Sequence, residues 1–200
     1  MSLGKPQIPA PPYQRFSAWF FFEIGIKLLE MLGIPTVAVG LNRLFKRNTR
    51  PLTYEEIALA RTVFGNSIQY ERVYIDARSY FGCKKYQFAY VGFNCINSWG
   101  ELSAPHFIHE MTHIWQFQHL GALYIPRALH AQGTREGYHY GGIEKLKQAQ
   151  SLLEFNFEQQ GDIVADYFCI KTGLIPKYCS PDLTHLPVFE RVIYSAVQLR

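Results

Sequence analysis

Two histidines and a glutamate at His109-Glu110-Met111-Thr112-His113 have the residue types and spacing of a metal centre. On a helix, residues four apart lie one above the other, so both imidazoles can reach one ion while Glu110 stands beside it. Such an ion acidifies a bound water, and Glu110 would be its general base, which is the chemistry of metal-assisted amide hydrolysis. The run from Pro105 to Gln118 favours a helix. Pro105 suits the first turn, and Phe107, Ile108, Met111, Ile114, Trp115 and Phe117 can wrap most of it in core. Burying a polar group without a partner costs about 2–7 kcal/mol, so an apolar helix carrying two imidazoles and a carboxylate needs a reason for them. The competing reading is a pair of satisfied core histidines.

Catalytic zinc usually takes three protein ligands and keeps one position for water. The stretch from Phe155 to Phe168 offers a third ligand, because Glu158, Asp162 and Asp166 recur at i, i+4 and i+8 and form one acidic stripe on a helix. A solvated face is the bland alternative. Apolar flanks and the absence of any lysine or arginine from 148 to 170 argue against it. Glu158 is therefore assigned as the third ligand. Asp162 is expected to accept from the outer N–H of a ligating histidine, and Asp166 to be a second such acceptor or a surface charge. The order of preference for the third ligand runs Glu158, Asp162, then His106 or His139. Two imidazoles and a carboxylate suit zinc best, at one ion per chain. The oxyanion needs a donor besides the metal, and Tyr138, His139 or Tyr140 could supply it, with aromatic packing as the alternative role for that trio.

Other elements must position these groups. Thr53-Tyr-Glu-Glu56 is a capping-box pattern that predicts a helix over about 54–64, stopped by Gly65. Arg72–Asp76 and Tyr86–Gly92 read as strands, with a turn at Gly82 to Lys85 between them. Residues 122–143 read as a long irregular connection, Ile143–Leu153 as a helix, Phe155–Thr172 as the second site helix ended by Gly173, and 187–199 as a closing helix. The expected fold is α+β and mostly helical, with a small antiparallel sheet packed on the His-Glu-x-x-His helix and a second ligand-bearing helix. Residues 46–200 form that domain. Residues 1–45 are a Pro-rich lead-in followed by an apolar helix.

Within that lead-in, Glu23, Lys27 and Glu30 fall on one helical face of the run 16–32. No charge-free stretch there reaches the roughly 20 residues needed to span a bilayer, and a signal peptide fits poorly. An amphipathic helix that docks on the domain or on a partner fits better, with a membrane-surface helix as the alternative. The net charge of +4 is small and spread out, which argues against a nucleic-acid partner. The four cysteines lack zinc-ribbon spacing. Cys83–Cys95 or Cys169–Cys179 could pair, and free thiols are equally consistent with the count.

His-Glu-x-x-His followed on a later helix by Glu158-x-x-x-Asp162 resembles the gluzincin arrangement of zinc metallopeptidases. More closely, Pro51–Gly65, His109–Gln116, Phe157–Gln160 and Asp166–Phe168 are similar to bacterial metallopeptidase-like proteins encoded near type VI secretion spike (Vgr) genes. The resemblance covers about residues 50–170. Two positions depart from that family's pattern: Gly161 stands where alanine is usual, and Tyr138-His139-Tyr140 where Tyr-Asp-Tyr is common.

The resemblance implies a bacterial protein, cytoplasmic or exported without a signal peptide, acting on a peptide or protein substrate. Residues 16–32 would then meet a secretion-system or immunity partner. Two alternatives stay open. One is a secreted antibacterial toxin using the same site on peptidoglycan or a host protein. The other is a non-catalytic module in which a metal staples two helices.

Overall fold

The computed structural model describes residues 48–79, 83–86, 88–124, 127, 128, 131 and 137–197, with Ile24, Gly25 and Leu28. Apart from those last three residues, the lead-in and the 16–32 stretch lie outside the described residues. The order is β1 (Thr49–Pro51), α1 (Tyr54–Phe64), β2 (Tyr74–Asp76), α2 (Cys83–Tyr86), β3 (Tyr90–Gly92), β4 (Cys95–Asn97), α3 (Ala104–Leu120), α4 (Gly142–Gln148), α5 (Phe157–Thr172) and α6 (Leu186–Tyr194). The fold is α+β, mostly helical, with one small sheet. Among the described residues no helix is long and apolar enough to cross a membrane.

The sheet is mixed rather than antiparallel. Its strand order is β1-β2-β4-β3, with β2 and β4 parallel and the two outer pairings antiparallel. The cause lies in the connections. A two-residue turn at Phe93-Asn94, both with positive φ, folds β3 back on β4. The longer path from β2 through α2 carries β3 past the site where β4 will lie, so β4 inserts beside β2 and runs parallel to it. Lys84 and Lys85 sit in α2 rather than in a turn, and the strand expected from Tyr86 begins at Tyr90. β1 and β4 are each three residues long, too short to show a period in sequence.

Helix α1 starts as its sequence dictates. Thr53 accepts from the Glu56 amide while Glu56 accepts from the Thr53 amide, and Arg50 of β1 forks onto the same carboxylate at 2.7 and 2.8 Å. The Arg50 hydrogen bond is the main reason the Glu56 carboxyl sits below its ordinary range. Helix α5 begins on a second capping box, Asn156 with Gln159, and ends at Gly173 in the left-handed conformation.

The centre of the molecule is the packing of α3 against α5. Residues 107–117 of α3 and 157–170 of α5 are buried without a gap, so neither helix has a solvent face there. The acidic stripe of α5 therefore lies in the interior. Ile108, Met111, Ile114 and Trp115 meet the core from one helix, and Ile163, Val164, Tyr167 and Phe168 from the other. Helix α6 closes the far side of α5 with Phe189, Val192 and Ile193. The single helix expected from 143 to 153 is broken: α4 stops at Gln148 and a 3-10 turn follows at Leu152–Glu154. Arg191 takes up the carbonyls of Leu146, Lys147 and Ala149, which that break leaves without helical donors.

Candidate metal centre

Helix periodicity stacks His109 over His113 on the face of α3 that meets α5, and Glu158 enters from the first turn of α5. The two Nε2 atoms are 3.1 Å apart, and Glu158 Oε2 is 3.4 Å from that of His109 and 3.3 Å from that of His113. Ligand atoms from all three residues fall within 4.8 Å of one another, and all three residues are buried. The group could hold a metal ion.

The outer ring nitrogens decide what the inner ones can do. His109 Nδ1 lies 2.9 Å from Asp162 Oδ1, and a carboxylate only accepts, so that nitrogen carries the proton. His113 Nδ1 lies 2.8 Å from Gln116 Oε1. The Gln116 amide is oriented by its own nitrogen, which donates to Phe157 O at 3.1 Å and to Gln160 Oε1 at 2.9 Å. Gln160 is fixed in turn by donating to Phe155 O. Both imidazoles therefore aim their Nε2 atoms inward, toward Glu158 Oε2. Three buried polar atoms this close need positive charge among them, as shared protons or as a metal ion.

Electrostatics point the same way. Burial opposes charge on His109, but the hydrogen bonds to Asp162 and Glu158 outweigh it and lift its pKa to about 10. Burial pushes the Glu158 carboxyl up, yet hydrogen bonds from His109 and His113 hold it well below the ordinary carboxylate range. The site is built to stabilise positive charge, and a metal ion is the group that both imidazoles and the carboxylate can share.

Glu110 stands next to this group and is 3% exposed. Its Oε1 lies 3.4 Å from His106 Nε2, while its Oε2 is buried with no hydrogen-bond partner among the described residues. An orphaned buried carboxylate oxygen is costly, and beside a metal site it is placed to receive a water's proton. A cleft of about 450 Å³ opens over these residues, walled by Ala89 and by Tyr90 and Val91 of β3, with Tyr124, Tyr138, Ile175 and Lys177.

The other expected residues divide. Tyr138 lines the cleft, its ring centroid 6.4 Å from that of His109, and burial followed by the Glu158 and Asp162 charges pushes its hydroxyl up to about 12. Tyr140 faces elsewhere. It is 2% exposed and donates to Asp166 Oδ2 at 2.8 Å, so its hydroxyl is already committed. Among the described residues Asp166 meets no imidazole: it also accepts from the backbone amides of Lys177 and Tyr178. His139 packs on Tyr178 and accepts from the Gly141 amide, and His106 is half-exposed at the cleft mouth. Neither histidine joins His109, His113 and Glu158.

Four residues of the site escape sequence reasoning. Gln116 and Gln160 fix His113, but an amide carries no spacing signature. Tyr124 lines the cleft with its hydroxyl pushed well up by burial and then by the Glu110 and Glu158 charges. Lys177 reaches Asp162 Oδ2 at 3.3 Å, so the acidic stripe does have a basic neighbour, supplied from beyond the end of its own helix. Cys83, Cys95 and Cys169 are buried and Cys179 is half-buried, all as thiols.

Two predictions arise here. Replacing Gln116 with Leu frees the His113 ring to turn, and metal affinity, read by competition with a chromogenic zinc indicator, should fall about 10–100-fold. An unchanged affinity would remove Gln116 from the site. Gly161 is the second position. A Cβ there would lie 2.7–2.9 Å from three atoms of the His109 ring, so glycine permits this close approach of the ring to α5 and a larger side chain must move it. Gly161→Val should displace the ring and lower metal affinity by about ten-fold or more. A change within two-fold would show that the ring yields freely.

Fold and site define an α+β domain whose two central helices bring together a buried His–His–Glu group able to hold a metal ion. No protein-family model matches the chain. It is similar to the type VI secretion system spike protein VgrG2b of Pseudomonas aeruginosa, 37% identical over 155 residues, covering 71% of this chain and 14% of that protein. The chain thus spans a small part of that relative's length. The solved effector domain of Pseudomonas aeruginosa VgrG2b matches with a TM-score of 0.50 and 26% identity, over 82% of this chain and 93% of that one. The chain is homologous to that effector domain.

Proposed function

We propose that this chain is a secreted bacterial effector domain of the type VI secretion context, and that its site is a zinc-dependent hydrolase acting on an amide bond of a peptide or protein. The observation that carries the hydrolase reading is the convergence of His109 Nε2, His113 Nε2 and Glu158 Oε2 beside the orphaned Oε2 of Glu110. The homology to a VgrG2b effector domain supports the secreted role. Residues 16–32 are then a docking segment for the secretion machinery or for an immunity partner.

His109, His113 and Glu158 would hold the ion, with Asp162 and Gln116 fixing the two rings. Zinc bound there supplies a Lewis acid and a water acidic enough to attack near neutral pH. Glu110 accepts the proton of the attacking water on Oε2 and returns it to the leaving nitrogen. Its second oxygen is steadied by His106. Tyr138 and Tyr124 keep their protons, because burial and nearby carboxylates raise both hydroxyls, and so can donate to the carbonyl oxygen as it gains charge. Tyr140 cannot take that part while it serves Asp166.

A metal that merely staples two helices would be closed by a fourth protein ligand. Among the described residues His106 pairs with Glu110 and His139 accepts from the Gly141 amide, and neither joins His109, His113 and Glu158, which favours the catalytic reading. The test is to produce the chain in a susceptible bacterium, with and without an export leader. Growth should be arrested in the compartment that holds the target, and Glu110→Gln should abolish the arrest. Equal toxicity of wild type and Glu110→Gln would overturn the hydrolase reading.

A further inference from the structure

Three of the large apolar side chains exposed among the described residues gather at the rim of the metal-site cleft. Ile175 is 85% exposed, Phe88 43% and Tyr138 40%, and all three line this one cleft. They come from three separate segments: the residue pair before β3, the loop before α4, and the turn after α5. Ile175 is held out in water by structure around it. Leu174 N donates to Cys169 O, and the Lys177 and Tyr178 amides donate to Asp166, so the turn that bears Ile175 is bracketed on both sides. Large apolar side chains grouped at a concave site mark the place where a partner's apolar surface is received.

The interior of the cleft has the opposite character. Glu110, Glu158, Asp162 and Asp166 line it, and the ammonium of Lys177 is already paired with Asp162. A substrate rich in carboxylates meets like charge there. The wall at Tyr90 and Val91 belongs to β3, an edge strand of the sheet, so the cleft runs beside an edge that can accompany an extended chain.

We propose, on the basis of the hydrolase reading above, that the substrate is an extended polypeptide with large apolar side chains flanking the scissile amide. Segments of that kind are buried in folded proteins or inserted in membranes. The stem peptides of peptidoglycan are small and carboxylate-bearing, and fit neither the rim nor the interior.

The test offers the zinc-loaded full chain a peptide library of varied sequence, and in parallel purified peptidoglycan. Cleavage should fall at bonds flanked by Leu, Ile, Val, Phe or Met. Ile175→Ser and Phe88→Ser should each raise KM for an apolar-flanked peptide about ten-fold, with kcat within two-fold and zinc content unchanged. A peptide with Ala and Ser flanks should show no such change in KM. Cleavage without apolar preference, unchanged KM in both variants, or turnover of peptidoglycan alone would each overturn the proposal. A binding arm separates it from the hydrolase reading. Glu110→Gln protein should capture apolar peptides from the library, and Ile175→Ser in that background should capture them about ten-fold less tightly. Capture of apolar peptides by a wild type that cleaves nothing would uphold the cleft's selectivity and sink the hydrolase. Capture without preference would sink the selectivity itself.

Discussion

Glu110→Gln should lower the rate of amide hydrolysis by about 10²–10⁴-fold while leaving metal content and melting temperature near those of the wild type. The substitution keeps the shape of the side chain and removes its ability to take a proton. Glu110 is buried, and its Oε2 has no partner to lose, so the amide breaks no hydrogen bond at that atom. Only the weak contact from His106 to Oε1, at 3.4 Å, is altered. Chemistry and stability should therefore separate cleanly in this variant. A single-turnover assay on any cleaved peptide, with elemental analysis of the same preparation, reads both. Retained activity with intact zinc would move the general base to another residue.

Asp166→Ala should produce a large loss of stability. Its carboxylate accepts from Lys177 N at 2.6 Å, Tyr178 N at 3.0 Å and the Tyr140 hydroxyl at 2.8 Å. Through these contacts α5 holds both the loop before α4 and the turn after itself. Hydrogen bonds to a charged group are worth about 1.5–3 kcal/mol each, so three would exceed 4 kcal/mol if they added. They do not add in full. Burial pushes the Asp166 carboxyl up against the pull of its donors, a cost that alanine removes. About 3 kcal/mol is the expected net loss, or roughly 6–12 °C in Tm for a chain of this size. Asp166→Asn, which keeps an acceptor, should fall between the two. Denaturant unfolding of all three proteins reads the series, and a loss below 1 kcal/mol for the alanine variant would show the turns to be held by other contacts.

What the sequence made legible follows from helix periodicity. His109 over His113 and Glu158 over Asp162 are consequences of 3.6 residues per turn, visible wherever polar residues recur at four in an apolar run. The capping boxes at Thr53 and the stop at Gly65 are equally local. Contacts between segments are another matter. Nothing near Asp166 announces that its carboxylate will receive the backbone of 177 and 178, or that Tyr140 will spend its hydroxyl there. Gln116 is one helical turn from His113, but glutamines occur on every helix, and only the partner chain of Gln160 and Phe157 gives this one a role. The parallel pairing of β2 with β4 depends on where a connection passes in space, and three-residue strands carry no pattern that records it.

The most direct test of the centre is the metal content of purified wild type, His113→Ala and Glu158→Ala, by elemental analysis after dialysis. A His–His–Glu site predicts about one zinc ion per wild-type chain and its loss, or a sharp weakening, in both variants, since each removes one of three ligands. A folded wild type that carries no metal and does not take up added zinc would contradict the account and leave His109 and His113 as core residues.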